Sequence, residues 1–122
     1  MLAEARRNPS CEVCGLLAGR DAAITAMFPA RNVHPSPTTS YEIAPQELFR
    51  LFREIRAQGL DLLGIYHSHP SGENAPSPDD IERAYYPDVA YFIISPDPDA
   101  KCPVRAFRIR YGRAEELALN LI

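Results

Sequence analysis

Apolar positions change their spacing along the chain, and each change predicts an element. Leu48, Leu51, Phe52 and Ile55 recur at i, i+3, i+4 and i+7, which lays one apolar stripe along a helix. That helix is expected over residues 45–58. Pro45 suits its first turn and Gly59 the position just past its end. The compact apolar run 13–18 reads as a buried strand. Residues 22–32 pair with it as a hairpin turning at Gly19-Arg20-Asp21. Residues 62–67 form the next strand. The unbroken apolar run 89–94 predicts a central strand covered on both faces. Over 104–111 the pattern alternates, with Phe107, Ile109 and Tyr111 facing one way and Arg108 and Arg110 the other. After a turn at Gly112, Leu117, Leu119 and Leu121 predict a last strand. Short helices are expected over 2–8 and 78–85. Prolines mark irregular stretches at 35–45, 70–78 and 96–103. Strands interleaved with helices indicate an α/β fold with a mixed sheet.

A length of 122 residues predicts one domain spanning 1–122, large enough to bury a core without staples. The formal net charge of -3 argues against a nucleic-acid or anionic-membrane partner, since both need a basic face. Arg105, Arg108 and Arg110 still permit a local basic patch. No apolar run approaches the roughly 20 residues needed to span a bilayer. The first eight residues lack the apolar stretch of a signal peptide, so a cytoplasmic protein is expected. Three cysteines, an odd number, make no disulfide framework. Cys11-Glu12-Val13-Cys14 has redox-motif spacing, but it leads into an apolar strand rather than opening a helix. Two reduced thiols are expected, with Cys14 a small buried packing residue and Cys102 a loop thiol.

The segment Tyr66-His67-Ser68-His69-Pro70, followed by Ser77-Pro78-Asp79-Asp80, carries the chemistry. On a strand, residues i and i+2 share a face, so His67 and His69 aim both imidazoles at one point while Ser68 points away. His-x-His alone is a weak sign of a metal. A third ligand must come from elsewhere, and Asp80 begins a helix after a loop able to fold back. Two imidazoles and a carboxylate suit zinc, and three protein ligands leave the fourth position that a catalytic site requires. The same residues have a plain structural use: Ser77 is a good N-cap, Pro78 a good first helical residue, and Asp80 a favourable first-turn charge. His34, next to Pro35, reads as a loop residue rather than a fourth ligand. Phe49 and Phe52 read as core before binding patch. Gly72 permits the loop 71–76 to be either a moving lid or a fixed turn.

His67-Ser68-His69-Pro70 with Ser77-x-x-Asp80, together with an upstream glutamate in Glu12-Val13-Cys14-Gly15-Leu16-Leu17-Ala18-Gly19, resembles the combined signature of the JAMM (MPN+) metalloproteases, in their compact prokaryotic branch. The resemblance implies a curved mixed sheet flanked by helices, without the strand that usually precedes the first helix. It implies one zinc ion per chain on His67, His69 and Asp80. Glu12 would act as general base and then as acid to the leaving amine, and Ser77 as donor to the oxyanion. Asn32 and Tyr41 resemble recurring family positions to which no chemistry is assigned. The implied activity is a zinc peptidase or isopeptidase that cuts after the flexible C-terminal tail of a ubiquitin-like or sulfur-carrier protein. Two other readings stand beside it. One is a non-catalytic scaffold of the same fold. The other is a zinc amidase acting on a small-molecule amide. A nucleobase deaminase is disfavoured, since no Pro-Cys-x-x-Cys is present.

Overall fold

The computed structural model describes residues 1–119. In chain order the elements are α1 (Leu2–Arg7), β1 (Cys14–Arg20), β2 (Ala23–Ala30), α2 (Pro45–Ala57), β3 (Asp61–Ser68), α3 (Pro78–Glu82), β4 (Ala90–Ile94), β5 (Val104–Arg110) and β6 (Arg113–Leu117). The strands form one sheet in the order β2-β1-β3-β4-β5-β6. Among the described strands only β3 and β4 run parallel, and α3 lies in the crossover between them, as parallel pairing demands. No helix among the described residues is long and apolar enough to cross a membrane.

Period-two alternation divides the core between the two faces of the sheet. Leu16, Ala18, Ile65, Tyr91, Ile93, Phe107 and Ile109 pack with Leu51 and Ile55 of α2. Leu17, Tyr66, Phe92, Ile94 and Ala106 pack on the opposite side with Val13 and with Ala5 of α1. A strand between two such layers must be apolar at every position, which is why β4 reads as an unbroken run. The α2 stripe is found as expected. Its end is a Schellman motif: Leu60 donates to the Ile55 carbonyl (3.0 Å) and Gly59 to that of Arg56 (2.9 Å), with Gly59 at φ 69°.

Three boundaries differ from expectation. The first hairpin does not turn at Gly19. β1 runs on to Arg20, and the turn is Asp21-Ala22, both at positive φ as a tight two-residue hairpin requires. Gly19 instead sits where β1 bulges, and a Cβ there would run into the Ala23 carbonyl. α3 stops at Glu82 rather than at residue 85: Arg83, at φ -98° and ψ 15°, is its C-cap, and its amide donates to the Asp79 carbonyl. The last strand begins at once after the two-residue turn Tyr111-Gly112 and ends at Leu117. Tyr111 therefore belongs to the turn, 98% exposed, and not to the buried face of Phe107 and Ile109. Leu119 lies past the strand, and Leu121 lies outside the described residues. Register follows the turn, not the leucines. β6 is a charged edge strand, tied to β5 by the Arg105–Glu116 ion pair (2.9 Å).

Candidate metal centre

The site lies at the C-terminal ends of β3 and β4. His67 is the penultimate residue of β3, and its ring is 1% exposed. The chain continues in register past the strand, where the His69 amide donates to the Ile94 carbonyl (2.9 Å). His67 and His69 therefore share a face, and their Nε2 atoms stand 3.1 Å apart. The loop after Pro70 turns back and delivers Asp80 in the first turn of α3. Asp80 Oδ1 lies 3.2 Å from His67 Nε2, and its Oδ2 lies 3.0 Å from His69 Nε2. The helix start that does this is a full capping box. Ser77 Oγ accepts from the Asp80 amide (3.1 Å), and the Ser77 amide donates to Asp80 Oδ2 (2.9 Å). The capping role and convergence on the histidines coexist in Asp80.

Glu12 reaches the same place from the segment before β1. Its side chain is 4% exposed, and one of its ligand atoms lies within 4.8 Å of those of both histidines. The geometry thus offers two carboxylates to one pair of imidazoles, and their electrostatics separate them. Burial raises the proton affinity of Asp80, but hydrogen bonds from both histidines and from the Ser77 amide outweigh it and hold the carboxyl well below the usual range. Glu12 has no such partners. Burial pushes it up to about 7; the Asp80 and Asp79 charges add to this, and His69 opposes it. Its Oε1 is buried with no hydrogen-bond partner among the described residues. Asp80 is thus the closer and more acidic carboxylate, and Glu12 the one whose proton affinity lies near neutrality.

The donor set fits a metal ion. His69 Nδ1 lies 2.7 Å from the Glu73 carbonyl, which can only accept, so Nδ1 carries a proton, and in the neutral ring Nε2 keeps the lone pair that a metal needs. Burial works against a charge on His69, but its contacts with Asp80 and the Glu73 carbonyl outweigh it and raise its pKa, so without a metal a proton on Nε2 meets Asp80 Oδ2 at 3.0 Å; a bound cation would take that proton's place. Two imidazole nitrogens and one carboxylate oxygen converging in this way match a three-ligand zinc site. Burial lowers the pKa of His67, against the pull of Asp80, which favours the neutral imidazole that a metal needs.

Residues around the site supply its rigidity. Tyr41 stacks on His67 with ring centroids 4.5 Å apart and 21° between planes. Asn32 uses its whole amide: Nδ2 donates to the carbonyls of Glu12 and Ser40 (both 3.0 Å), and Oδ1 accepts from the amides of His34 (3.0 Å) and Glu42 (3.1 Å). Both positions are noticeable in the sequence, but their partners come from irregular chain and no spacing reveals them. Ser68 does point away from the histidines. Its hydroxyl accepts from the Val13 amide (2.9 Å), while its own amide donates to the Val13 carbonyl (3.0 Å). The Glu12 amide donates to the Pro37 carbonyl (2.7 Å). Glu12 is thus held through its own backbone and its neighbour's. His34 stays in its loop, its Nδ1 accepting from the Ser36 amide (2.9 Å). Cys11, Cys14 and Cys102 are free, with Cys14 buried and the other two exposed. Phe52 is half-buried against the core, edge-on to Tyr86, whereas Phe49 is 68% exposed and is not a core residue.

Comparison with known proteins gives concordant relatives. The family profile described as prokaryotic homologs of the JAB domain matches residues 1–110. The chain is 44% identical over 92 residues to the desampylase of Haloferax volcanii, covering 74% of this chain and 66% of that protein, just short of two thirds of its length. It is 41% identical over 116 residues to a probable TtuB-protein conjugate cleaving protease of Thermus thermophilus, covering 95% and 72% of the two chains. It is 32% identical over 124 residues to the CysO-cysteine peptidase of Mycobacterium tuberculosis, covering 100% and 84%. Among solved structures, a protein of Desulfitobacterium hafniense superposes with a TM-score of 0.82 at 32% identity, over 96% of this chain and 82% of that one. A JAB1/MPN domain protein of Archaeoglobus fulgidus shares the fold with a TM-score of 0.62 at 19% identity, over 97% and 86%.

Proposed function

Because the chain belongs to the prokaryotic JAB-domain family, we propose that it is a zinc-dependent peptidase or isopeptidase, its catalytic domain spanning residues 1–122. Its substrate is a ubiquitin-like or sulfur-carrier protein whose flexible C-terminal tail is amide-linked to an amino acid or to another protein. The observation that carries this reading is the convergence of His67, His69 and Asp80 at 3.0–3.2 Å with the buried Glu12 carboxylate beside them. The substrate class follows the relatives, whose names specify a TtuB-protein conjugate and a CysO-cysteine link. The free, exposed thiols of Cys11 and Cys102 suit a reducing compartment, the cytoplasm.

His67, His69 and Asp80 would hold one zinc ion, which supplies Lewis acidity toward the amide carbonyl and makes water a competent nucleophile near neutral pH. Glu12 takes the proton as water adds to the carbonyl carbon. A proton affinity near neutrality suits both that step and the return of the proton to the leaving amine nitrogen as the C–N bond breaks. Ser77 Oγ already accepts from the Asp80 amide, so its own proton is free for the developing oxyanion. Asn32 and Ser68 keep the Glu12 backbone in place during both transfers.

The test is cleavage of carrier proteins extended beyond a terminal Gly-Gly by the zinc-loaded protein, with Glu12→Gln and a chelator as controls. Cleavage after the glycine pair, abolished by both, is the expected result. A protein that binds one zinc yet cleaves no extended carrier would sink the substrate class and favour a small amide instead. A protein that binds no zinc would sink the metal reading.

A further inference from the structure

The loop between the histidines and α3 is tied to the sheet by a residue that has no role in the chemistry above. Asn74 lies in the middle of this loop, yet it is only 8% exposed. Its Nδ2 donates to the Cys102 carbonyl (2.7 Å), in the connection between β4 and β5, and more weakly to the Ile93 carbonyl of β4 (3.4 Å). That connection is itself braced: Ser95 is fully buried, its amide donates to the Pro103 carbonyl (2.8 Å), and its hydroxyl accepts from the Asp97 amide (3.3 Å). Asn74 therefore anchors an exposed loop to a rigid part of the sheet.

The Glu73 carbonyl, which takes the Nδ1 proton of His69, belongs to the planar peptide group joining residues 73 and 74. One side of that plane is held by the turn in which the Gly72 amide donates to the His69 carbonyl (2.9 Å). Asn74 holds the other side. From this geometry, and resting on the zinc reading of the site, we infer that Asn74 is a positioning residue for the metal. By fixing the Glu73 carbonyl it locks His69 in the Nδ1–H form, which leaves the Nε2 lone pair for zinc.

Without that acceptor the alternative tautomer becomes the better one for the neutral ring in the zinc-free protein. An Nε2–H would donate straight to Asp80 Oδ2 across the existing 3.0 Å, and both ligands would then be occupied with each other. Zinc would have to break that bond before binding. Loss of a group that orients a metal ligand typically costs about 10–100-fold in affinity.

The full chain and its Asn74→Ala and Asn74→Ser variants are to be titrated with zinc against a chromogenic chelator. The His69 tautomer is read in each by 15N NMR of the imidazole, at a pH high enough for the ring to be neutral. The expected result is a 10–100-fold weaker zinc affinity in Asn74→Ala, a smaller loss in Asn74→Ser (which keeps one donor), and Nε2–H character at His69 in both zinc-free variants. Unchanged affinity with an unchanged tautomer overturns the inference while leaving the zinc site intact. A wild-type chain that takes up no zinc overturns the metal reading itself, and this inference with it. A further measurement needs no variant: the Asn74 side-chain amide protons of the wild-type protein should exchange with solvent as slowly as backbone amides of β4. Exchange at the rate of an exposed amide would refute the anchor.

Discussion

Glu12, on the segment leading into β1, and Asp80, in the first turn of α3, bring carboxylates to the same two imidazoles from regions built on opposite principles. Around Asp80 every neighbour supplies a hydrogen bond: the Ser77 amide on one side and two ring nitrogens on the other. Around Glu12 the backbone is tied down on all sides, but the carboxylate is left bare. The first environment holds a charge in place and the second holds a proton loosely. Acid–base assignments in a site come from such pairs, whose surroundings push similar groups apart.

The sharpest break of this comparison is a pair of substitutions. Asp80→Ala should lose stoichiometric zinc and with it all turnover. Glu12→Gln should keep one zinc per chain and lose turnover by about 10²–10⁴-fold, the usual worth of a positioned acid–base group. Zinc analysis by mass spectrometry decides between them: zinc retained in Asp80→Ala but lost from Glu12→Gln would exchange the two roles. Next in size is Ser77→Ala. If the hydroxyl meets the oxyanion, the rate should fall about 10²–10³-fold with zinc retained. If Ser77 only caps α3, the melting temperature falls, as for a loss of about 1 kcal/mol, and the rate holds.

A third test concerns backbone support. Asn32→Ala removes four hydrogen bonds, three of them half-buried, and should destabilise the chain by about 1–3 kcal/mol in urea unfolding. Turnover should fall more than zinc affinity, because the Glu12 side of the site is the one disturbed. Equal losses in both would mean that the two regions are not separately supported.

The smallest effect probes the low polarity around Glu12. Burial pushes the neighbouring Cys14 thiol up to about 12, with nearby carboxylates adding to the shift. Its thiolate should be scarce at pH 8, so iodoacetamide should label the exposed Cys11 and Cys102 well before Cys14. Peptide mapping reads the order, and early labelling of Cys14 would argue that water reaches this region freely.

The parts of the molecule legible in the sequence are those that local geometry governs. His67 and His69 could be placed on one face because strand periodicity is two, and Asp80 could be placed at a helix start because Ser77-Pro78 announces one. The α2 stripe and the unbroken β4 run were readable for the same reason. The partners of Asn32, Tyr41 and Asn74 were not, since each acts across irregular chain whose path no periodicity describes. The last strand does follow the turn at Gly112, but alternate leucines draw it on through Leu119, whereas pairing starts at Arg113 and ends at Leu117.

Val13 and Ser68, joined by two hydrogen bonds, stand 55 positions apart in the chain. The β1–β2 and β5–β6 hairpins close over two residues each and can form early, whereas this junction must wait for α2 and β3. Glu12 therefore meets the histidines only once a long-range contact, costly in chain entropy, has formed. A nascent or partly unfolded chain would hold neither the metal nor the base, so it would pass through the cell without hydrolysing anything. Zinc, binding only the finished fold, would in turn deepen the native well by about 2.7 kcal/mol at a hundred times its dissociation constant.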